Sequence, residues 1–389
     1  MRRKIKKEIT FICTTGVEKL CCNSIAEEAI KRGFKVKFTE NIFEKCEIGV
    51  YLSHLNYPQN SKFSVIMLHD LGQQHGEWPI MWKNEYWNIY DVGFLPSLEW
   101  VKMWESASCY RFACPKKGCY FAGWPKADAT VAEKFNDEAN EVIKKYNIDT
   151  SKKTILYAPS WEWDGRQLEM IESVKNMDVN LIIKQFPVTP DRFPWHYKIV
   201  MDAMEKSKGK KNTILLDPKI NIFTAISICD VLVSEESSTL FEAMLMGKPV
   251  IAVKDWLVPD NYPEPPRLPN FSYDFAVRIE KKDLEKTLNE VLNDSKYENI
   301  IRDYKENNFP KVGVAAPMIL DVIEAELFGK ENKHQKIKES EKVRIPKEYK
   351  KSVNKRKWAL RKYKIRKQIF DKNKFLTALF NVYHSIKHR

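Results

Sequence analysis

The chain has 389 residues, 43% of them hydrophobic and 12% aromatic, and a formal net charge of +13. That length exceeds one ordinary core and predicts two domains with additions, while the absence of any apolar run near the roughly 18 to 20 residues that span a bilayer excludes a predicted transmembrane helix. The charge is segregated: residues 331–389 hold 20 Lys or Arg against 5 Asp or Glu, whereas the preceding 330 hold 45 against 47. A nucleic-acid enzyme usually carries positive charge along its cleft, so a neutral body with a basic tail points to a separate docking element. The eight cysteines form no CxxC pair and follow no secretory segment, which predicts reduced thiols in a cytosolic protein. The even spacing of Cys109, Cys114 and Cys119 is not a zinc pattern and reads as buried structural thiols.

In chain order, "EITFICTTG" reads as a strand, "VEKLCCNSIAEEAIKRG" as an amphipathic helix closed by Gly33, and "FKVKFTE" as a second strand. "IGVYLS", "SVIML" and "VGFLP" follow as short apolar strands, with "SLEWVKMWES" a helix after them. Beyond the helix around "VAEKFNDEANEVIKKYN" the pattern restarts with five apolar runs: "KTILYAPSW", "VNLIIKQFP", "NTILLDP", "CDVLVSEESS" and "GKPVIAVKDW". This alternation predicts an α/β fold with parallel sheets and crossover helices, twice over. The expected domains are 1–147 and 148–330, with ligands in the cleft outside the carboxyl ends of the strands. A helix in "KVGVAAPMILDVIEAELFG" ends the globular part, and residues 331–389 are expected to form a loosely ordered charged linker and a basic helical tail.

From about Lys350 the tail becomes amphipathic: Trp358, Ile365, Ile369, Leu376, Phe380 and Tyr383 share one line at 100° per residue, and ten Lys or Arg crowd residues 350–367. Such a helix suits an anionic membrane interface, with Trp358, Ile365 and Ile369 inserted and Lys355, Arg356, Lys357 and Arg361 on the headgroups. The same stripe would also suit packing on the body or on a second subunit, or, less well, a nucleic acid.

The stretch of residues 230–253, "DVLVSEESSTLFEAMLMGKPVIAV", carries a buried strand into a Ser/Glu-rich turn and a helix. Ser237, Ser238 and Thr239 place hydroxyls and free amides at the helix N-terminus, where the dipole favours an anion such as a diphosphate. Glu242, one turn in, suits a ribose diol. A purely structural reading competes, because Thr239-x-x-Glu242 also fits a capping box. Asp255-Trp256, after a later strand, is a weaker candidate for the base pocket. The Trp78, Trp82, Trp87, Trp100 and Trp104 rings read either as domain packing or as a stacking surface for a polyol acceptor.

"SSTLFEAMLMGKPVI" resembles the donor-binding segment of GT-B glycosyltransferases, and together with "ILYAPSW" at residues 155–161 it resembles the CDP-glycerol glycerophosphotransferase family of teichoic acid and capsule enzymes. The resemblance spans residues 64–256. It implies a GT-B-like fold of two Rossmann-like domains facing across a cleft, and a donor site built from Ser160, Lys184, Gln185, Glu236, Ser237, Ser238, Thr239 and Glu242. Where that family has His-Pro after a second-domain strand, this chain has Lys184, Gln185, Phe186 and Pro187. Where it has His-Gly after a first-domain strand, this chain has His69-Asp70, with His75-Gly76 six residues later. The implied reaction moves a glycerol or ribitol phosphate from a CDP-alditol to an acceptor hydroxyl on a lipid-linked cell-wall or capsular polymer, releasing CMP.

That chemistry needs a base for the acceptor proton and donors for the phosphoryl charge. His69 and His75 are rival candidates for the base, with Asp70 or Glu77 to orient the ring; a strand-capping His69 and a solvated His75 are the bland alternatives. The expected partners are the nucleotide donor, the lipid-linked acceptor and an anionic membrane on the cytoplasmic side, and nucleic acid is not expected. No tightly bound cofactor is expected, no carboxylate cluster predicts a metal site, and metal requirement and oligomeric state stay open. A nucleotide-sugar-dependent GT-B glycosyltransferase or a sugar-nucleotide epimerase is the second reading, and a non-catalytic scaffold the third.

Overall fold

The strands of this computed structural model are short, and the inner ones are buried on both faces, so those read in sequence as continuous apolar runs rather than as alternating ones. It describes residues 5–71, 79–131, 134–163, 165–190, 193–235, 237–257 and 274–366. Strands β1 (Glu8–Ile12), β2 (Lys35–Thr39), β3 (Cys46–Tyr51), β4 (Ser61–Ile66), β5 (Val92–Leu95) and β6 (Cys119–Phe121) form one parallel sheet ordered β2-β1-β3-β4-β5-β6. Strands β7 (Lys153–Tyr157), β8 (Val179–Ile183), β9 (Thr213–Leu215), β10 (Val231–Ser234), β11 (Val250–Val253) and β12 (Ala276–Ile279) form a second, ordered β12-β11-β10-β7-β8-β9. The strand order reverses between β1 and β3 and between β7 and β10, and such switch points open a crevice at the strands' carboxyl ends. Strands β6 and β12 escape the sequence pattern because the first has three residues and the second is a half-buried edge.

The described helices are α1 (Gly16–Lys31), α2 (Ile80–Asn84), α3 (Leu98–Ala107), α4 (Lys134–Tyr146), α5 (Arg166–Val174), α6 (Pro194–Ser207), α7 (Ile222–Ile228), α8 (Ser238–Leu245), α9 (Leu284–Asn293), α10 (Lys296–Asn308), α11 (Ala315–Phe328) and α12 (Lys347–Ile365). Helix α1 opens with a capping box: the Thr15 hydroxyl accepts from the Glu18 amide and the Glu18 carboxylate from the Thr15 amide, each at 3.1 Å. It closes where Gly33 adopts φ +80°, a conformation that disfavours a side chain. Helices α4 and α11 are among those that pack away from their sequence neighbours. Helix α4 packs on α7, where Thr224 donates to Glu138 at 2.6 Å and Phe135 meets Phe223. Helix α11 packs on α1, where Arg32 pairs with Asp321 at 2.6 Å and Glu324 at 3.1 Å.

Trp82, Trp87, Trp100 and Trp104 are at most 1% exposed and pack the first sheet's core, which removes them as a stacking surface. Trp78 lies outside the described residues. All eight cysteines are free thiols, seven of them buried.

The segment expected to be a loose linker is tied down. Ile337 donates its amide to the Cys119 carbonyl at 2.9 Å and Val343 donates to Cys109 at 3.0 Å. Ser340 donates to the Ser108 hydroxyl at 2.7 Å, and Lys342 to the Ser108 carbonyl at 2.7 Å. Backbone hydrogen bonds of this kind leave no trace in composition, so a polar stretch reads as unanchored when it is not. Helix α12 then packs one face on the body. Tyr349 meets Tyr110 and Phe112, Leu360 is buried, and Tyr363 lies against Phe43. Arg356, expected on the membrane face, turns inward instead: its guanidinium forks onto both Glu85 carboxylate oxygens at 2.7 Å and donates to the Asn56 carbonyl at 2.6 Å. Trp358 and Ile365 face outward, 58% and 42% exposed, among exposed Lys355, Lys357 and Arg361. Ile369 and the rest of the stripe lie outside the described residues. Among the described residues no helix is long and apolar enough to cross a membrane.

Candidate active site

The carboxyl ends of both sheets converge on one cavity of about 530 Å³, within the range of a small-molecule site. The first half of the chain lines it with Thr15 and Gly16 after β1, His69 and Asp70 after β4, and Lys126. The second half contributes Ser160 and Trp161 after β7, Lys184 and Gln185 after β8, and the α8 N-terminus after β10.

At that N-terminus, the cap is Ser237, whose hydroxyl accepts from the Thr239 amide at 3.2 Å. The capping box read from Thr239 and Glu242 does not form: Thr239 donates to the Ala158 carbonyl at 3.1 Å, and Glu242 turns into the cavity wall. Glu242 is buried, and one of its oxygens accepts from the Lys126 ammonium across the cleft. Burial alone would lower the Lys126 pKa, but Glu242 overrides it and holds the group above the ordinary lysine value. A second cross-cleft contact joins the Ser238 hydroxyl to Asp70.

Ser160 is anchored rather than free, since its amide donates to Glu235 at 2.8 Å and its hydroxyl to the same oxygen. The amide hydrogens of Gln185 point away from the cavity, to Glu162 at 3.1 Å and Gln167 at 2.5 Å. Lys184, like Lys219 on the same wall, is paired by no carboxylate among the described residues; its ammonium donates to the Pro218 carbonyl at 3.2 Å. Burial pushes it down to about 8, with Glu242 opposing.

His69 lies half-buried three residues past β4, with Nδ1 at 2.7 Å from the Leu52 carbonyl oxygen. A carbonyl oxygen can only accept, so Nδ1 carries the hydrogen, which in the neutral ring leaves the lone pair on Nε2. The orienting group is thus a backbone carbonyl, not Asp70. His75, Glu77 and Glu236 lie outside the described residues. Asp255-Trp256 does not reach the cavity: Trp256 packs on Tyr157 and donates to Glu169 at 2.7 Å, while Asp255 accepts from the Lys281 amide. Sequence reasoning missed Lys126, which sits in an otherwise apolar "GWPKA" run, and the Thr15 turn, whose T-x-x-E spacing was a legible signal. Among the described residues no three His, Cys, Asp or Glu side chains group as metal ligands.

The model of CDP-Glycerol:Poly(glycerophosphate) glycerophosphotransferase matches residues 67–299, more than half of the chain. The chain belongs to that family. This family member is a CDP-glycerol glycerophosphotransferase-like enzyme. No curated protein matches it in sequence. Its fold is the GT-B-like α/β arrangement, similar to that of the wall teichoic acid polymerase TagF, at 18% identity over 83% of this chain and 89% of that one with a TM-score of 0.58. A variant of that polymerase soaked with CDPG aligns with a TM-score of 0.59 at 15% identity, again over 83% and 89% of the two chains. A putative UDP-N-acetylglucosamine 2-epimerase from Listeria monocytogenes gives 0.56 at 13% identity, over 86% of this chain and 100% of that one.

Proposed function

We propose that this enzyme transfers glycerol phosphate or ribitol phosphate from a CDP-alditol to a hydroxyl of a lipid-linked cell-wall or capsular polymer. The observation that carries the reading is that His69 faces, from the opposite half of the chain, a wall of the same cavity made by Lys184 after β8 and the N-terminus of α8. His69 Nε2 takes the acceptor hydroxyl's proton, and the oxygen attacks the phosphorus next to the alditol. The bond from that phosphorus to the bridging oxygen breaks, and CMP leaves. Lys184, the Ser237 hydroxyl and the Ser237 and Ser238 amides hold the diphosphate charge, with Thr239 fixing the turn through its bonds to Ser237 and Ala158. Ser160 shapes the β7 turn beside them, and Gln185 supports it from behind. His75 keeps its proposed role as rival base, and Glu236 its proposed place in the donor site. The body is proposed to sit peripherally on the cytoplasmic face of a membrane through the outward face of α12, with Trp358 and Ile365 inserted and Lys355, Lys357 and Arg361 on anionic headgroups.

Transfer from labelled CDP-glycerol or CDP-ribitol to a lipid-linked primer tests the reaction. His69→Ala is expected to lower turnover by roughly 10²- to 10⁴-fold, the usual worth of a general base, with donor binding retained. Unchanged turnover in that variant transfers the role to His75. The epimerase likeness and the missing His-Pro favour a second reading, a nucleotide-sugar enzyme; thermal stabilisation by UDP sugars and not by CDP-alditols would select it.

A further inference from the structure

Lys126 and Glu242 are separated by 116 residues and come from opposite sides of the cleft, yet both are nearly inaccessible, at 3% and 2% exposure. The Lys126 ammonium lies 5.5 Å from the Trp124 ring centre and 5.7 Å from that of Phe223, one ring from each half of the chain. It takes Glu242 Oε1, while Oε2, buried at the cavity wall, has no hydrogen-bond partner among the described residues. A buried carboxylate oxygen left without a donor is costly, and a site that binds a vicinal diol would supply the missing hydrogens.

We propose that Lys126 is a positioning residue for nucleotide recognition, holding Glu242 turned so that Oε2 accepts from the ribose hydroxyls of the bound nucleotide. The inference rests on the nucleotide-donor reading above and adds that the ribose subsite is completed from the far side of the cleft. Without the ammonium, Glu242 loses the partner that fixes its orientation. It then no longer discriminates a ribose from a deoxyribose.

Calorimetric titration of the full chain with CMP, UMP and their 2′-deoxy analogues tests this without turnover and without assuming the base. The wild type is expected to prefer the ribonucleotide by roughly tenfold, the scale of a hydrogen bond to a charged acceptor. In Lys126→Met the preference should fall within about twofold, as in Glu242→Gln, and Lys126→Arg should restore most of it. If Lys126→Met does not fold, Lys126→Gln carries the same comparison. A Lys126→Met or Lys126→Gln variant that weakens both nucleotides equally and keeps the ratio overturns the inference and leaves the functional reading intact. Failure of the wild type to bind any of these nucleotides removes both.

Discussion

Where the family resemblance implies a His-Pro pair this chain has Lys184-Gln185-Phe186-Pro187, so Lys184 rather than a histidine is the group that can supply charge, and that alters how the site should respond to pH. Its folded value near 8 lies below the 10.5 of a free lysine because burial penalises the ammonium. Donor affinity should therefore fall as pH rises through about 8, where the phosphate-facing charge is lost. Lys184→Arg should remove that limb from a profile of donor KM against pH, and a flat wild-type profile between pH 7 and 9 would refute the assignment. The stability sign runs the other way. Between about 8 and 10.5 the unfolded chain keeps a proton that the folded chain has released, so this residue's contribution to stability rises with pH across that window. Lys184 was legible in sequence because it directly follows a strand, whereas Lys126 was not, since nothing local distinguishes it from a solvated lysine in a turn. Its partner lies 116 residues away, and only the closed cleft brings them together.

Among the elements, α12 has two faces with different work. The inward face carries Arg356 onto Glu85, whose side chain is 1% exposed. Removing residues 345–389 should leave that carboxylate buried without its cation, at a cost on the order of 3 kcal/mol in denaturant unfolding. A truncation is therefore a poor test of membrane docking. The outward face is the better target: Trp358→Ala with Ile365→Ala, or Lys355→Glu with Arg361→Glu, should abolish co-sedimentation with anionic liposomes while leaving the melting temperature within a few degrees. Intact co-sedimentation of both variants would remove α12 from that role. The stripe through Trp358 and Ile365 was visible at helical spacing, but the second stripe through Tyr349, Arg356, Leu360 and Tyr363 was masked by its polar members. The strap before it was invisible for a different reason: its anchors are main-chain groups, which every residue type can offer. The sheets were the easiest elements to read, because β8 and β10, buried along their whole length, leave little room for polar side chains.

At the scale of the molecule, the short helical turn that carries Lys126 also carries Asp128, whose carboxylate accepts from the amides of Gly313, Ala315 and Ala316 at 2.9, 3.2 and 2.8 Å. Those three amides open α11, the helix by which the chain returns to the first sheet. Asp128→Ala should unpin this return and lower stability by about 2 kcal/mol, with faster hydrogen exchange in α11 as the local signature. Unchanged exchange there would show that α11 is held by its Arg32 pairs alone. The arrangement has a mechanical consequence. One turn, three residues long from Lys126 to Asp128, touches the cavity wall at one end and the start of α11 at the other, so a ligand that displaces Glu242 is expected to load the same peptide that anchors the return helix.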